Sequence, residues 1–215
     1  RTRSNNFIIY CARGGMRSSG FQTILNEGDF KSFKLDRGYK SIREQTLNSF
    51  KIKREVIIVA GSTGTGKTTI LNRMKDEGHN IIDLEKLANH RGSAFGDLGI
   101  SDEATQQQFE NDLSSCWLQS EPNKPLFIES ESRRIGKVLI PEDIWDQMKQ
   151  GLYLKIDMQI ERRVENLIKD YGEYSNEDLE IRIQKISKKL GGQNVKEAIR
   201  LLEDHNLHEL CKFLL

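Results

Sequence analysis

One octapeptide constrains the fold of this chain more than any other feature. The run GSTGTGKT at positions 61–68 follows a β-branched stretch, Val56–Ala60, and precedes a segment with Ile70, Leu71 and Met74 on one helical face. It satisfies the pattern G-x-x-x-x-G-K-[ST] of a phosphate-binding loop, or P-loop, between a strand and a helix. Glycines allow backbone N–H groups to converge on phosphate oxygens, and the following helix presents its positive end. The sequence therefore predicts an α/β domain that binds phosphate.

Each position of this loop has an expected role. The backbone should surround the phosphates, Lys67 should bridge the terminal ones, and the Thr68 hydroxyl is placed to ligate Mg²⁺ if a metal is used. The predicted phosphate-binding residues are Gly61, Ser62, Thr63, Gly64, Thr65, Gly66, Lys67 and Thr68.

A P-loop metal site normally needs a carboxylate at the end of a neighbouring strand. Two strand ends offer one: Asp83 and Glu85 follow NII, and Glu129 and Glu131 follow PLFI. We favour Glu129, because the four residues before it form a core strand. The other pair would then be a solvated strand end.

Two basic, glycine-bearing segments, ANHRGSAFG (88–96) and ESRRIG (131–136), should leave the strand ends, where ligands bind in open α/β sheets. Their candidates for phosphate or substrate contacts are His90, Arg91, Ser93, Arg133 and Arg134. Surface loops with structural arginines explain them equally well. Arg162 and Arg163 stand where P-loop kinases carry a lid, but we interpret them as an exposed helix face.

Strands alternate with helices as far as about residue 158, which predicts a parallel sheet covered by helices on both faces. One of these helices should begin near Ser101 or Asp102 and carry Phe109, Leu113, Cys116 and Trp117 along one face. The rest of the chain is helical in pattern. We therefore divide it into a small α/β part at 1–50, a P-loop domain at 51–158 and a helical region at 159–215 packed on that domain.

Composition indicates a soluble protein of the reducing cytosol. Three widely spaced cysteines argue against a disulfide framework, and no apolar run reaches the roughly 20 residues of a membrane helix. A formal charge of +1 means that any nucleic-acid surface must be a local patch. The chain enters a strand almost at once from Arg1, so we expect an upstream portion to be missing.

A second loop, YCARGGMRSSG at 10–20, surrounds Cys11 with glycines and arginines. Backbone N–H groups and the start of a helix near Ser18 should lower the pKa of the thiol and make it nucleophilic. The predicted catalytic residues are Cys11 and Arg17, and the predicted active-site loop adds Arg13, Gly14, Gly15 and Ser18.

These residues leave several functions open. Cys-x5-Arg is also the spacing of cysteine phosphatases, although Tyr10 stands where many of them have histidine. The chain could equally be a P-loop kinase of a small metabolite or a non-catalytic RNA-binding module.

Cys-x-x-Gly-Gly-x-Arg-Ser followed by RGYKSIR resembles the C-terminal half of a rhodanese domain. Followed in order by GSTGTGKT, DLEKLANHRGSAFG, FEN and ESESRRIGKVLIPEDIW, it resembles the bacterial tRNA 2-selenouridine synthase family over nearly the whole chain. The resemblance implies a P-loop NTPase-like parallel-sheet domain with a helical C-terminal region, preceded by a partial rhodanese-like α/β unit.

The resemblance also implies a transferase that replaces the sulfur of wobble 2-thiouridine with selenium. Its expected co-substrates are selenophosphate and geranyl diphosphate, since S-geranylation activates the sulfur for departure. Cys11 would serve the selenium step, and the P-loop would hold a diphosphate or the tRNA backbone, with ATP uncertain. Expected partners are tRNA and selenophosphate synthetase, without a membrane.

The sequence departs from the family in three places. The first half of the rhodanese domain is absent, and the chain ends at Leu215, short of the family's C-terminal end. DRGYK (36–40) stands where a double glycine is usual.

Overall fold

The structure is a computed structural model that describes residues 6–90, 95, 98 and 102–215. The chain forms two compact units, one that ends at Ile52 and one that begins at Lys53.

The first unit is a small α/β arrangement. Its elements are β1 (Asn6–Ile9), α1 (Met16–Glu27), β2 (Lys31–Lys34) and α2 (Tyr39–Ser49). The two strands pair in parallel, with Asn6 opposite Lys31 and Ile9 opposite Lys34. Helix α1 begins at Met16, two residues before Ser18, because Gly15 already serves as its N-cap.

The turn between β2 and α2 packs directly against the loop after β1. Gly38 has φ +59°, and a Cβ there would overlap the Cys11 carbonyl oxygen, so no side chain fits. The N–H of Tyr39 donates to the Cys11 carbonyl at 2.9 Å. Arg37, the residue before Gly38, also has a positive φ of 57°. Left-handed backbone costs a non-glycine residue about 1–2 kcal/mol, which explains why glycine suits this position.

The second unit contains the rest of the described elements. They are β3 (Val56–Gly61), α3 (Lys67–Asp76), β4 (Asn80–Ile82), α4 (Leu84–Ala88), α5 (Gln106–Gln119), β5 (Leu126–Glu129), β6 (Arg134–Ile135), β7 (Val138–Leu139), α6 (Glu142–Gln150), β8 (Leu152–Ile156), α7 (Ile160–Tyr171), α8 (Asn176–Lys185), α9 (Ser187–Leu190), α10 (Gly192–Glu203) and α11 (Leu207–Leu214).

A parallel sheet lies at the centre of this unit. Its strands run in the order β4-β5-β3-β8, with Val56 opposite Leu126 and Ile57 opposite Leu152. Ile58 of β3 and Ile128 of β5 are completely buried, as both-sided coverage of a parallel sheet requires. The predicted α/β class with a parallel sheet is confirmed.

Helix α5 buries the predicted face, but it starts later than the sequence indicates. Phe109, Leu113 and Trp117 are completely buried. The N-cap is Thr105, whose side chain accepts a hydrogen bond from the Gln108 N–H at 3.2 Å, so the predicted cap at Asp102 is wrong. Ala104 N–H donates to the Ala88 carbonyl at 3.1 Å, which links the residue before this N-cap to the end of α4. The alternative cap, Ser101, lies outside the described residues.

Strands β6 and β7 form a small antiparallel hairpin that we expected to be loop. Ile135 pairs with Val138, and both are buried. Gly136 supplies the turn with φ +53°. Two-residue strands are too short to show a periodicity, so no sequence pattern predicts them.

The C-terminal helices build a second apolar core. Its buried members are Leu98, Leu179, Ile183, Val195, Ala198, Leu202 and Leu210. Helix α11 packs against α7 and α10, and α8 packs against α10. Within the described ranges, every helix is too short or too polar to span a bilayer.

Candidate functional site

The P-loop adopts the conformation that its glycines permit. Gly64 and Gly66 have φ +82° and +71°, and Gly66 caps helix α3, which begins at Lys67. The Thr65 hydroxyl donates to the Ser62 carbonyl at 2.8 Å and fixes the bend of the loop. Lys67 Nζ donates to the Gly61 carbonyl at 3.2 Å, which keeps the ammonium folded over the loop. This is an anion cradle at a helix N-terminus.

Helix α7 supports the loop from the other side. Arg163 Nε donates to the Thr63 carbonyl at 2.9 Å, and Asn166 Nδ2 donates to the Gly64 carbonyl at 2.7 Å. A Cβ on Gly64 would lie 2.7 Å from the Arg163 carbonyl oxygen, so the two segments are in close contact. Our exposed-face interpretation holds for Arg162, which pairs with Glu165, but it is wrong for Arg163.

Three carboxylates gather beside Lys67. Glu85, Glu129 and Glu131 each place an oxygen within 4.8 Å of the others. Glu129 is 1% exposed, its Oε1 lies 3.7 Å from Lys67 Nζ, and its Oε2 is buried without a hydrogen-bond partner. Asp83 has a different task, because its side chain caps α4 by accepting from the Lys86 N–H at 2.8 Å.

Burial dominates the electrostatics of this cluster. Removal from water, with the Glu85 charge added, raises the pKa of Glu129 to about 8, although Lys67 opposes the rise. The same causes raise the pKa of Glu131 to about 7. The three clustered carboxylates supply the oxygen ligands that suit a divalent cation.

Two cavities meet at this loop. A polar cavity of about 470 Å³ is lined by the P-loop from Thr63 to Thr69, by Gly61 and by the three clustered glutamates. A second cavity of about 470 Å³ is bordered by Ser62 and Thr63 and is otherwise mostly apolar. Thr63, Leu167 and Tyr171 line both cavities, so the two are adjacent.

The described candidates His90, Arg133 and Arg134 do not line the polar cavity. Arg133 and Arg134 are exposed on the hairpin segment that follows Glu131. His90 packs against Gly136 of the hairpin turn, and its Nδ1 is buried without a hydrogen-bond partner. Arg91 and Ser93 lie outside the described residues.

Cys11 lies in a cup of hydrogen-bond donors in the first unit. Its Sγ accepts from the Gly15 N–H at 3.2 Å and lies 3.4 Å from the Ser18 hydroxyl. The Ser18 hydroxyl bond, followed by the Arg13 backbone bond, lowers the pKa of this thiol to about 6. Gly14, with φ +66°, gives the cup its curvature.

The arginines act differently from our expectation. Arg13 lowers the Cys11 pKa through its backbone, and hydrogen bonds rather than guanidinium charge account for the shift. Arg17 is exposed on α1. Burial raises the pKa of the other two thiols, Cys116 and Cys211.

Several residues of the polar cavity and its supporting helix were missed by sequence reasoning. They are Asn72, Leu167, Asp170 and Tyr171, together with the loop-supporting pair Arg163 and Asn166. Positions 163, 166, 167, 170 and 171 share one face of α7, but this spacing alone does not show which element the face contacts.

Comparison with known proteins places this site in a family. The family described as "tRNA 2-selenouridine synthase AAA domain" matches residues 54–210. A tRNA 2-selenouridine synthase from Nitrosomonas europaea is 35% identical, over 76% of this chain and 44% of its own length. One from Shewanella denitrificans is 32% identical, over 95% of this chain and 60% of its own length.

A further relative and a solved structure complete the comparison. The tRNA 2-selenouridine synthase of Bdellovibrio bacteriovorus is 37% identical, over 76% of this chain and 44% of its own. AMPPCP-bound DnaA from Aquifex aeolicus aligns over 77% of this chain and 66% of its own, at 17% identity and a TM-score of 0.28, which is too low to support an argument. The chain spans about half the length of the relatives it matches. With a family match over residues 54–210 and relatives above 30% identity, this chain belongs to the tRNA 2-selenouridine synthase family.

Proposed function

We propose that this chain acts in the replacement of sulfur by selenium at wobble 2-thiouridine in tRNA. The observation that carries the proposal is the P-loop, whose donors and Lys67 form a cradle for a diphosphate. Family membership supplies the reaction class. We propose geranyl diphosphate as the ligand of the cradle and selenophosphate as the selenium donor.

The first step would be alkylation. The sulfur of 2-thiouridine attacks the carbon that carries the diphosphate, a carbon–sulfur bond forms, and the carbon–oxygen bond breaks. The diphosphate leaves with the electron pair of that bond, so its negative charge grows. Backbone N–H groups at the start of α3 and the Lys67 ammonium stabilise that charge where it develops.

A divalent cation such as Mg²⁺ fits the residues on the other side of the cradle. Glu85, Glu129 and Glu131 would hold it, with the Thr68 hydroxyl as a further oxygen ligand. The unpaired, buried Oε2 of Glu129 is the observation that supports this fit. When bound, the cation would neutralise charge on the departing diphosphate.

The second step would use Cys11. A thiol with a pKa of about 6 is mostly thiolate at neutral pH, which suits a nucleophile in the selenium step. The selenium of selenophosphate attacks C2 of the uracil ring, the bond from C2 to the alkylated sulfur breaks, and the geranyl thiolate leaves with the electron pair and takes up a proton. Water then cleaves the selenium–phosphorus bond, which releases phosphate and leaves selenium on C2. Arg133 and Arg134, exposed on the hairpin, are our candidates for tRNA phosphate contacts.

Nucleoside mass analysis tests this division of labour. The protein is incubated with 2-thiouridine tRNA and geranyl diphosphate, selenophosphate or both, and the nucleosides are weighed. Cys11→Ser should abolish 2-selenouridine and leave S-geranyl-2-thiouridine, whereas Lys67→Ala should reduce S-geranylation. Cys116→Ser and Lys86→Ala are matched controls outside both sites. If Cys11→Ser abolishes both products, the proposed division is wrong.

The cysteine loop also supports a second candidate, a Cys-x5-Arg phosphatase, because Cys11 is an activated thiol and five residues separate it from Arg17. Hydrolysis of an aryl phosphate that is lost in Cys11→Ser would favour it.

ATP turnover that depends on a small acceptor and does not respond to tRNA would instead favour a P-loop kinase.

A further inference from the structure

The apolar cavity beside the P-loop is a feature that the anion cradle leaves unexplained. Its volume of about 470 Å³ lies within the range of ligand pockets, about 300–1,000 Å³. Leucine and isoleucine side chains from α7, α8 and α11 line it. Among its described lining residues the single charged side chain is Arg163, which the hydrogen bond to Thr63 fixes at the P-loop.

The position of this cavity determines what it can bind. Thr63, Leu167 and Tyr171 separate it from the polar cavity and contribute to both walls. A ligand whose phosphate lies on the P-loop can therefore extend past these residues into hydrocarbon surroundings. Burying a charged or strongly polar group there would be costly, whereas burying methylene groups is favourable.

We propose that this cavity binds the hydrocarbon chain of a linear isoprenoid diphosphate whose head group lies in the P-loop. The inference rests on the proposed use of a prenyl diphosphate and adds where its chain is held. A nucleotide base fits less well, because base recognition needs hydrogen-bonding groups and the wall beyond Ser62, Thr63 and Arg163 is largely aliphatic.

Helix α7 makes the two cavities interdependent. Its Arg163 and Asn166 hold the loop carbonyls of Thr63 and Gly64, while Leu167, Ile168 and Tyr171 line the apolar cavity. The Phe95 ring packs on Tyr171 with 5.7 Å between ring centroids and closes part of the wall. Head-group and chain binding therefore depend on the same helix.

The first test is a chain-length series. Affinities of the wild-type chain are measured by calorimetry for inorganic diphosphate and for dimethylallyl, geranyl and farnesyl diphosphates, with ADP as the nucleotide. Each buried methylene is worth about fourfold in affinity, so five carbons give at most on the order of a thousandfold. Geranyl diphosphate should bind about tenfold or more tightly than dimethylallyl diphosphate, since part of this gain is lost in ordering the chain.

The second test fills the cavity. Cys211 lines it from α11, so Cys211→Trp should reduce geranyl diphosphate affinity to that of dimethylallyl diphosphate and leave inorganic diphosphate unchanged. Cys211→Ala, which keeps the space, is the matched control. Lys67→Ala should weaken every member of the series.

The third test needs no variant and so does not depend on folding of a mutant. Geranyl diphosphate should protect Cys211 from a thiol reagent in the wild-type chain and leave Cys116, which lies on α5 outside the cavity wall, unprotected. Inorganic diphosphate should protect neither thiol.

The outcomes separate this inference from the proposed function. Chain-length dependence with Cys211 protection supports the cavity even if no modified nucleoside forms. Equal affinities along the series, tighter binding of ADP than of geranyl diphosphate, or labelling of Cys211 unaffected by geranyl diphosphate would overturn the inference, even if S-geranylation is observed.

Discussion

The pKa of Cys11 can be changed by removing one hydroxyl, that of Ser18, which also donates to the Gly15 carbonyl at 2.9 Å. Ser18→Ala removes the hydroxyl that lies 3.4 Å from Sγ and is the largest cause of the lowered pKa. A hydrogen bond to the charged form of a group shifts its pKa by about one unit. We therefore expect the titration midpoint of Cys11 to rise from about 6 to roughly 7 in this variant.

The size of the effect of this pKa on the reaction rate determines which measurement is useful. At pH 7 a thiol with a pKa of about 6 is roughly nine-tenths ionised, against about one-hundredth at the ordinary value of 9.0. The less basic thiolate is also a weaker nucleophile, by about twentyfold for three units. The net gain in alkylation rate at pH 7 is only about fourfold. A single rate is therefore a poor test, whereas the midpoint of the pH profile moves by whole units.

Alkylation of Cys11 by iodoacetamide should be followed by peptide mass spectrometry between pH 4.5 and 10. Ser19→Ala is the matched control, because the Ser19 hydroxyl contacts the Gly15 carbonyl and Lys34 rather than Cys11. The reasoning is refuted if the wild-type midpoint lies near 9, or if both serine variants shift it equally.

Two further predictions concern the second unit. Gly64→Ala should reduce diphosphate affinity, measured by calorimetry, more than tenfold, because its Cβ would lie 2.7 Å from the Arg163 carbonyl oxygen. Gly78→Ala is the control: Gly78 also has a positive φ but its Cβ would point into open space, so the variant should only lower the free energy of unfolding in urea by about 1 kcal/mol. Equal effects of the two variants in both measurements would contradict this. Because the pKa of Glu129 is raised to about 8, a contribution to stability that is present below pH 4.5 is lost as the pH rises to 8. Glu129→Gln should reduce that loss by roughly 3–4 kcal/mol between pH 5 and 8, measured by urea unfolding without metal. The exposed control Glu180→Gln should leave the loss unchanged.

The sequence was most informative where its signals are local. The P-loop pattern, the β-branched strand before it and the apolar face of α5 each depend on neighbouring residues, and the parallel sheet follows from their order. The cup around Cys11 was also predictable, because glycine spacing and a helix start act over a few residues.

The missed features depend on long-range packing. Arg163 and Asn166 contact a loop about 100 residues earlier, so nothing local in α7 identifies them as support for the P-loop. The carboxylate of Glu85 lies close to those of Glu129 and Glu131 because β4 pairs with β5. The apolar cavity is formed by three helices together, and the sequence of each one predicts only an ordinary amphipathic helix.

The two hydrogen bonds from α7 to the carbonyls of Thr63 and Gly64 also affect how this protein can be engineered. They hold the peptide planes of the loop in place before any ligand binds, so the conformational entropy of the loop is lost on folding rather than on binding. A shortened version that ends at residue 158 would keep all residues of GSTGTGKT but lose these two hydrogen bonds. Transplanting the octapeptide into another scaffold would therefore carry the motif across without its affinity.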